Sequence, residues 1–248
     1  MLKKVFFLLF LTSLFCPSIK AQQPFKEEIP ILLRNELYGG LTIHSAGFGL
    51  DIVRARHVTG FKKWYWELDA VSMKHPKEVK TINPYFENAK SYIYGKLNYL
   101  YMVRPAIGYQ KVLYGKGDKA GIEIKYRISF GPSIALAKPI YLDIIYPDTS
   151  GYRYDIRTER YDPAKHSIDI ILGKASFTHG LGEIKPYIGG FAKFGLSFEL
   201  GNDQEEIKMI ETGISLDAFP MQVPIMALEK NKQLFFNFYI SAFLGKRW

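Results

Sequence analysis

The segment Leu234 to Trp248 (LFFNFYISAFLGKRW) constrains the fold more than any other. Leu234, Phe236, Phe238, Ile240, Ala242 and Leu244 alternate with Asn237, Tyr239, Ser241, Gly245 and Arg247, and only Phe235 and Phe243 interrupt the polar set. Successive side chains of a strand point to opposite faces, so this strand requires one apolar and one polar surround. With an export leader ahead of it and an aromatic residue at its end, the pattern reads as the closing strand of a transmembrane β-barrel, apolar toward lipid and polar toward the lumen.

The leader is Met1 to Ala21. Lys3 and Lys4 precede an apolar run from Val5 to Phe15, followed by Pro17 and a small residue, Ala21. This is the plan of a cleaved signal peptide, and the core is too short to cross a bilayer as a helix. Cys16 is preceded by Phe15 where lipoprotein processing needs a small residue, so lipidation is not expected. Cleavage after Ala21 removes the one cysteine of the sequence, and with it any disulfide or thiolate metal site. It also removes three of the 33 basic residues against 24 acidic ones, leaving 33 − 3 − 24, about +6. Anionic headgroups at a bilayer edge account for so mild an excess, and no nucleic-acid partner is expected.

The expected organisation is a signal peptide over 1–21, a short periplasmic arm over 22–35 and a barrel over 36–248. Period-two segments recur from Leu37–Ser45 through Phe48–Ile52, Lys63–Met73, Ser91–Arg104, Ile107–Tyr114, Gly121–Tyr146, Ile184–Leu200 and Ile207–Asp217 to the final strand. Pro105 marks a break. Gly121–Tyr146 exceeds the usual length of about 9 to 11 residues, so a turn is placed at Gly131-Pro132-Ser133. His166–Gly182 loses its alternation and is read as irregular structure over or inside the barrel. The count is about ten strands, with eight to twelve left open, and long polar loops over 74–90, 148–165 and 218–231 at one end. A water-soluble barrel would invert this pattern.

The inward set collects Glu36, His44, Asp51, Lys63, Glu67, Asp69, Lys96, Glu123, Lys125, Arg127, Lys185, Lys193, Glu199, Glu211, Asp217 and Arg247. Both signs are nearly balanced, and charges confined in a narrow barrel must pair. A sealed, salt-bridged lumen is favoured over a small pore because single-sign rings are absent.

Little points to chemistry. His44 and Ser45 are adjacent on a strand and face opposite sides, so they form no nucleophile–base pair. His75 (MKHPKE) and His166 with Asp162 (DPAKH) fall in rim loops, where an omptin-like protease places its aspartates and histidine, but no spacing supports the match. Metal-ligand spacing and a phosphate-cradling glycine motif are lacking. No catalytic, metal or cofactor-binding residue is assigned, and no enzyme activity is expected.

The strings ELYGG (36–40), MKHPKE (73–78), YGKLNYLYMVRPAIGYQKVL (94–113), GPSIALAKPIYL (131–142), FPMQVPIMA (219–227) and FFNFYISAFLGKRW, with the Ala-Gln-Gln junction after the leader, resemble an uncharacterised outer-membrane β-barrel family of Bacteroidota. The resemblance implies a Gram-negative outer membrane, with lipid and lipopolysaccharide as surroundings, and carries no catalytic residues. The expected function is a non-enzymatic structural barrel or an accessory subunit of an envelope complex for secretion or outer-membrane assembly. The alternatives are a small passive channel and a rim-located lipid or peptide hydrolase. Outward Gly39, Gly190, Ala192 and Ala242 are candidates for close approach by a partner.

Overall fold

A computed structural model describes residues 33–115, 121–147, 154–201 and 205–248. The leader and most of the expected arm lie outside the described residues, as does most of the glycine-rich loop GKGDKAG. The strands are β1 (Asn35–His44), β2 (Gly47–Thr59), β3 (Lys62–Met73), β4 (Lys80–Thr81), β5 (Tyr92–Ile93), β6 (Asn98–Tyr114), β7 (Glu123–Pro139), β8 (Tyr141–Pro147), β9 (Tyr154–Arg160), β10 (Ile171–Lys174), β11 (Lys185–Leu200), β12 (Glu206–Val223) and β13 (Lys232–Arg247).

Among the described residues, eight strands close into a barrel in the order β1-β13-β12-β11-β7-β6-β3-β2, each antiparallel to its neighbours. The closing seam runs from Glu36↔Arg247 to His44↔Tyr239. It extends to the last residue, where Asn35 N donates to Trp248 O at 2.9 Å and Trp248 N to Asn35 O at 3.0 Å.

Eight lies within the range left open by the sequence and two below the ten counted there. The difference comes from two prolines. Ser91–Arg104 and Ile107–Tyr114 are not separate strands, because β6 runs straight through Pro105, and β7 likewise runs through Gly131-Pro132-Ser133 without turning. The β6–β7 ladder pauses between Val103↔Ile134 and Ile107↔Phe130, which sets Pro105 opposite Pro132. A proline lacks an N–H to donate, so opposing the two confines both losses to a single gap. Meanwhile β3 and β11 continue through Leu68↔Pro105 and Gly190↔Pro132. Gly131 is required at this crossing, since a Cβ there would come within 2.2 Å of the Pro105 carbonyl oxygen. The true break in Gly121–Tyr146 comes after Pro139, where β8 leaves the barrel to join the sheet β10-β8-β9.

One end of the barrel, here the terminus end, carries the start of β1, the end of β13 and the connections 60–61, 115–122 and 201–205. The other carries 45–46, 74–97, 140–184 and 224–231. His166–Gly182 belongs to that second end, where it holds two 3-10 turns, Ile168–Ile170 and Leu181–Glu183, with β10 between them. Its Ile171 packs with Tyr92, Ile140, Leu142, Ile144 and Tyr161 in an apolar cluster formed by the loops.

The barrel is apolar outside and charged inside. Leu41, Leu50, Trp66, Phe130, Ile188, Phe238 and Leu244 are exposed, whereas Asp51, Glu67, Arg127, Lys193 and Glu211 are buried. On β13 the outward run from Leu234 to Leu244 rises about 33 Å along the strand at ~3.3 Å per residue, or about 25 Å along the axis at a tilt of about 40°. A lipid-facing band is about 25 Å tall. Phe235 and Phe243, which interrupt the polar set of β13, face inward and fill space. Phe235 joins a cluster with Val71, Met73, Leu100, Met102, Phe219 and Val223, and Phe243 packs with Tyr38 and Tyr65.

Gly108 gives Tyr65 room to cross the lumen, since a Cβ at that position would fall 2.1 Å from the ring. Gly108→Ala is expected to lower the urea unfolding midpoint of the barrel in lipid vesicles, by a destabilisation of about 1–3 kcal/mol from overpacking.

Candidate functional site: an ion-paired lumen and a barrel mouth

From the terminus end upward, the lumen is built in tiers, each held by side chains from opposite walls. In the first tier Glu36 (β1) accepts from Lys63 Nζ (β3) at 2.7 Å and Arg247 Nε (β13) at 2.5 Å, with His57 Nε2 at 3.0 Å. Arg247 Nη2 continues to Glu199 (β11), which also accepts from Lys125 Nζ (β7). The chain Lys63–Glu36–Arg247–Glu199–Lys125 thus ties five strands together across the floor.

The second tier centres on Arg127, which is fully buried. Its guanidinium lies 4.4 Å from the Tyr65 ring centroid, 5.4 Å from Phe243 and 5.7 Å from Tyr38. It donates to Glu211 at 2.5 Å and lies 3.4 Å from Glu67. Glu211 also accepts from Ser197 Oγ at 2.8 Å and Tyr239 OH at 2.7 Å. Arginine suits this position because its planar cation stacks on rings while its edge serves carboxylates.

Above it, Lys193 Nζ bridges Asp51 at 2.8 Å and Glu67 at 2.6 Å. Arg104 grips Asp217 through Nε at 2.9 Å and Nη2 at 2.6 Å, and reaches Asp69 at 3.1 Å. Asp51, Glu67 and Asp69 bring carboxylate oxygens within 4.8 Å of one another, the spacing of a cation site. The Lys193 ammonium already bridges two of the three, so the protein supplies its own cation. A void of about 10 Å³ beside them, lined by His44, Asp69, Arg104, Lys193 and Tyr239, has room for roughly one water.

The cluster of Val71, Met73, Leu100, Met102, Phe219 and Phe235 lies above these tiers, together with Ile225 and Met226 from loop 224–231. Asn231 holds that loop down: its Oδ1 accepts from Ile225 N at 2.7 Å and Met226 N at 3.1 Å, and its Nδ2 donates to Met226 O at 2.9 Å. The mouth retains a pocket of about 210 Å³ lined by Leu97, Asn98, Ala137, Arg160, Tyr161, Lys185, Tyr187 and Pro224. Burial, with Tyr94 adding to it, pushes the Tyr161 phenol up to about 12, so it is neutral at physiological pH.

The structure brings most of the expected inward residues together, with three exceptions. Lys96 lies in the loops, buried against Glu78 at 2.6 Å, and burial lowers its pKa despite that partner. Lys185 is exposed at the mouth, and Glu123 is only half-buried at the floor, 3.5 Å from Lys125. Arg104, which alternation puts on the polar face opposite Val103 although it is not in that set, is buried and central.

The two rim-loop histidines, His75 and His166, organise backbone. His75 Nδ1 accepts from Lys77 N at 3.3 Å, and Glu78 takes the His75 amide at 2.9 Å. His166 Nδ1 accepts from Asp162 N at 3.1 Å, with Nε2 3.3 Å from Glu159, while Asp162 Oδ1 accepts from Ala164 N at 3.0 Å. Ser45 Oγ donates to Asn237 at 3.0 Å and not to His44.

The small outward residues do not form one patch. Gly190 lies in a row with Pro132 and Ala218, continuing to Pro105, and Ala192 stands apart from it between Phe130 and Leu216, whereas Gly39 pairs with Leu244, and Ala242 with Leu41 and Ile210, on β1 and β13 nearer the terminus end.

No protein-family model matches the chain. No curated protein matches it either. Among solved structures it is similar to the crystal structure of Neisserial surface protein A (NspA), at 7% sequence identity and a TM-score of 0.42, over 87% of this chain and 97% of that one.

Proposed function

We propose that this chain is an integral outer-membrane β-barrel with a closed lumen, serving as a structural or accessory subunit of an envelope complex. The observation that carries this reading is the inversion of the barrel: an apolar band about 25 Å tall surrounds an interior in which charges are buried and ion-paired beneath the Phe219–Phe235 cluster. Only lipid matches that outer wall. A filled interior leaves the outer wall and the loops as the working surfaces. The row Pro105–Pro132–Gly190–Ala218 supports an accessory role, because small and rigid side chains permit close approach by a neighbour within the bilayer.

Two measurements test it. Reconstituted in planar bilayers, the protein is expected to give no stepwise conductance; steady single-channel steps would favour the passive-channel reading. A tagged copy extracted gently from its native membrane is expected to co-elute with other envelope proteins in fixed ratio, and recovery as a lone monomer would remove the accessory role.

A further inference from the structure

Outward-facing charges are distributed unequally between the two ends of the barrel. Toward the terminus end the outward faces of β2, β3 and β6 carry Arg54 and Arg56, Lys62, and Lys111, all exposed, with Val58 and Leu113 the next outward residues beyond Arg56 and Lys111. Between them stand outward aromatics: Trp66 opposite Arg54, Trp64 opposite Arg56, and Tyr109 opposite Trp64. The Trp64 and Tyr109 rings meet edge to face at 5.5 Å. At the loop end the corresponding positions are mostly uncharged. There Lys138 is buried, 4.3 Å from the Phe177 ring centroid, and Lys232 is the exposed cation of β13.

Lys62 and Lys111 are direct ladder partners. Like charges facing each other across a ladder are destabilising. None of Arg54, Arg56, Lys62 and Lys111 has a carboxylate within ion-pair distance among the described residues. The acids on the same strands, Asp51, Glu67 and Asp69, point into the lumen and are buried. Four cations thus share one stretch of wall without internal compensation, at the depth where an apolar band gives way to aromatic rings.

From this we infer that the outer wall of β2, β3 and β6 at the terminus end is a binding site for the headgroup of an anionic phospholipid. Its phosphodiester is held by Arg54 and Arg56 and bridges the Lys62–Lys111 pair, while Trp64, Trp66 and Tyr109 pack against the glycerol and upper acyl region. Charge complementarity selects the anion. Continuity with the apolar band selects a lipid over phosphate free in solution, and the loop connections place the site in the leaflet facing the termini. The inference rests on the membrane-spanning reading.

The test is native mass spectrometry of the detergent-solubilised full chain titrated with phosphatidylglycerol or with phosphatidylcholine, alongside insertion of the same protein into phosphatidylcholine vesicles. Phosphatidylglycerol is expected to bind in preference, and Arg54→Gln with Arg56→Gln, or Lys62→Gln with Lys111→Gln, to weaken it about fivefold for each cation removed. Lys232→Gln, at the opposite end, is expected to change nothing. Equal binding of the two lipids, or a preference that survives both double variants, overturns the site. So does displacement of the lipid by millimolar inorganic phosphate, which would identify a soluble anion as the ligand. Failure to insert into vesicles would instead overturn the membrane reading itself.

Discussion

Ile240→Arg is expected to destabilise the barrel by about 2–4 kcal/mol when it is folded in lipid vesicles, the cost of placing a guanidinium at the bilayer midplane. Ile240 lies midway between Leu234 and Lys246 on β13, is exposed, and has Ile43 and Thr212 as ladder partners. Its side chain touches little protein, so almost all of the effect reports the solvent around it. In a barrel surrounded by water the same change belongs with ordinary surface substitutions, within about 0.5 kcal/mol. Urea titrations of wild type and variant in vesicles, followed by the fluorescence of outward Trp64 and Trp66, separate the two cases. An effect below about 1 kcal/mol would be incompatible with a lipid-facing wall at this height.

Arg127→Met tests the interior. Methionine retains part of the volume but leaves Glu211 and Glu67 facing Tyr38, Tyr65 and Phe243 with one cation fewer. Removing one partner of a buried ion pair costs about 3–5 kcal/mol, because the remaining charge is neither hydrated nor paired. Glu67 keeps Lys193 and Glu211 keeps Ser197 and Tyr239, so Glu211 bears most of the loss. Adding Glu211→Gln is therefore expected to recover a substantial part of the destabilisation, since a neutral amide can still accept from the serine and tyrosine hydroxyls. Full unfolding curves of wild type, both single variants and the double variant give the coupling directly. A cost below about 1 kcal/mol for Arg127→Met would mean that water reaches the carboxylates, and the closed-lumen reading would fall with it.

Closure of the lumen explains why its chemistry appeared featureless in the sequence. Isolated acids and bases spaced two apart on separate strands carry no motif, and only ring closure sets Arg104 of β6 against Asp217 of β12 and Lys193 of β11 against Asp51 of β2. Balance of sign was the available signal, and it pointed to pairing. Alternation puts Arg104 on the polar face of its strand, but a single arginine beside a proline has nothing to mark it as a hub.

Alternation along each strand sets the inside-out character of the wall, because a strand's period of two assigns each residue to a face whatever its partners are. Lumen-facing Asp51, Glu67, Arg127 and Glu211, and outward Phe236, Phe238 and Ile240, all lie where alternation puts them. The number of strands comes from the closed barrel, since whether Pro105 and Pro132 end a strand depends on what lies beside them. Opposed across a single ladder gap, and flanked by β3 and β11 that continue to pair, they are carried through. The closed barrel also sets which ion pairs form, because a partner across the lumen is fixed by closure and not by distance along the chain.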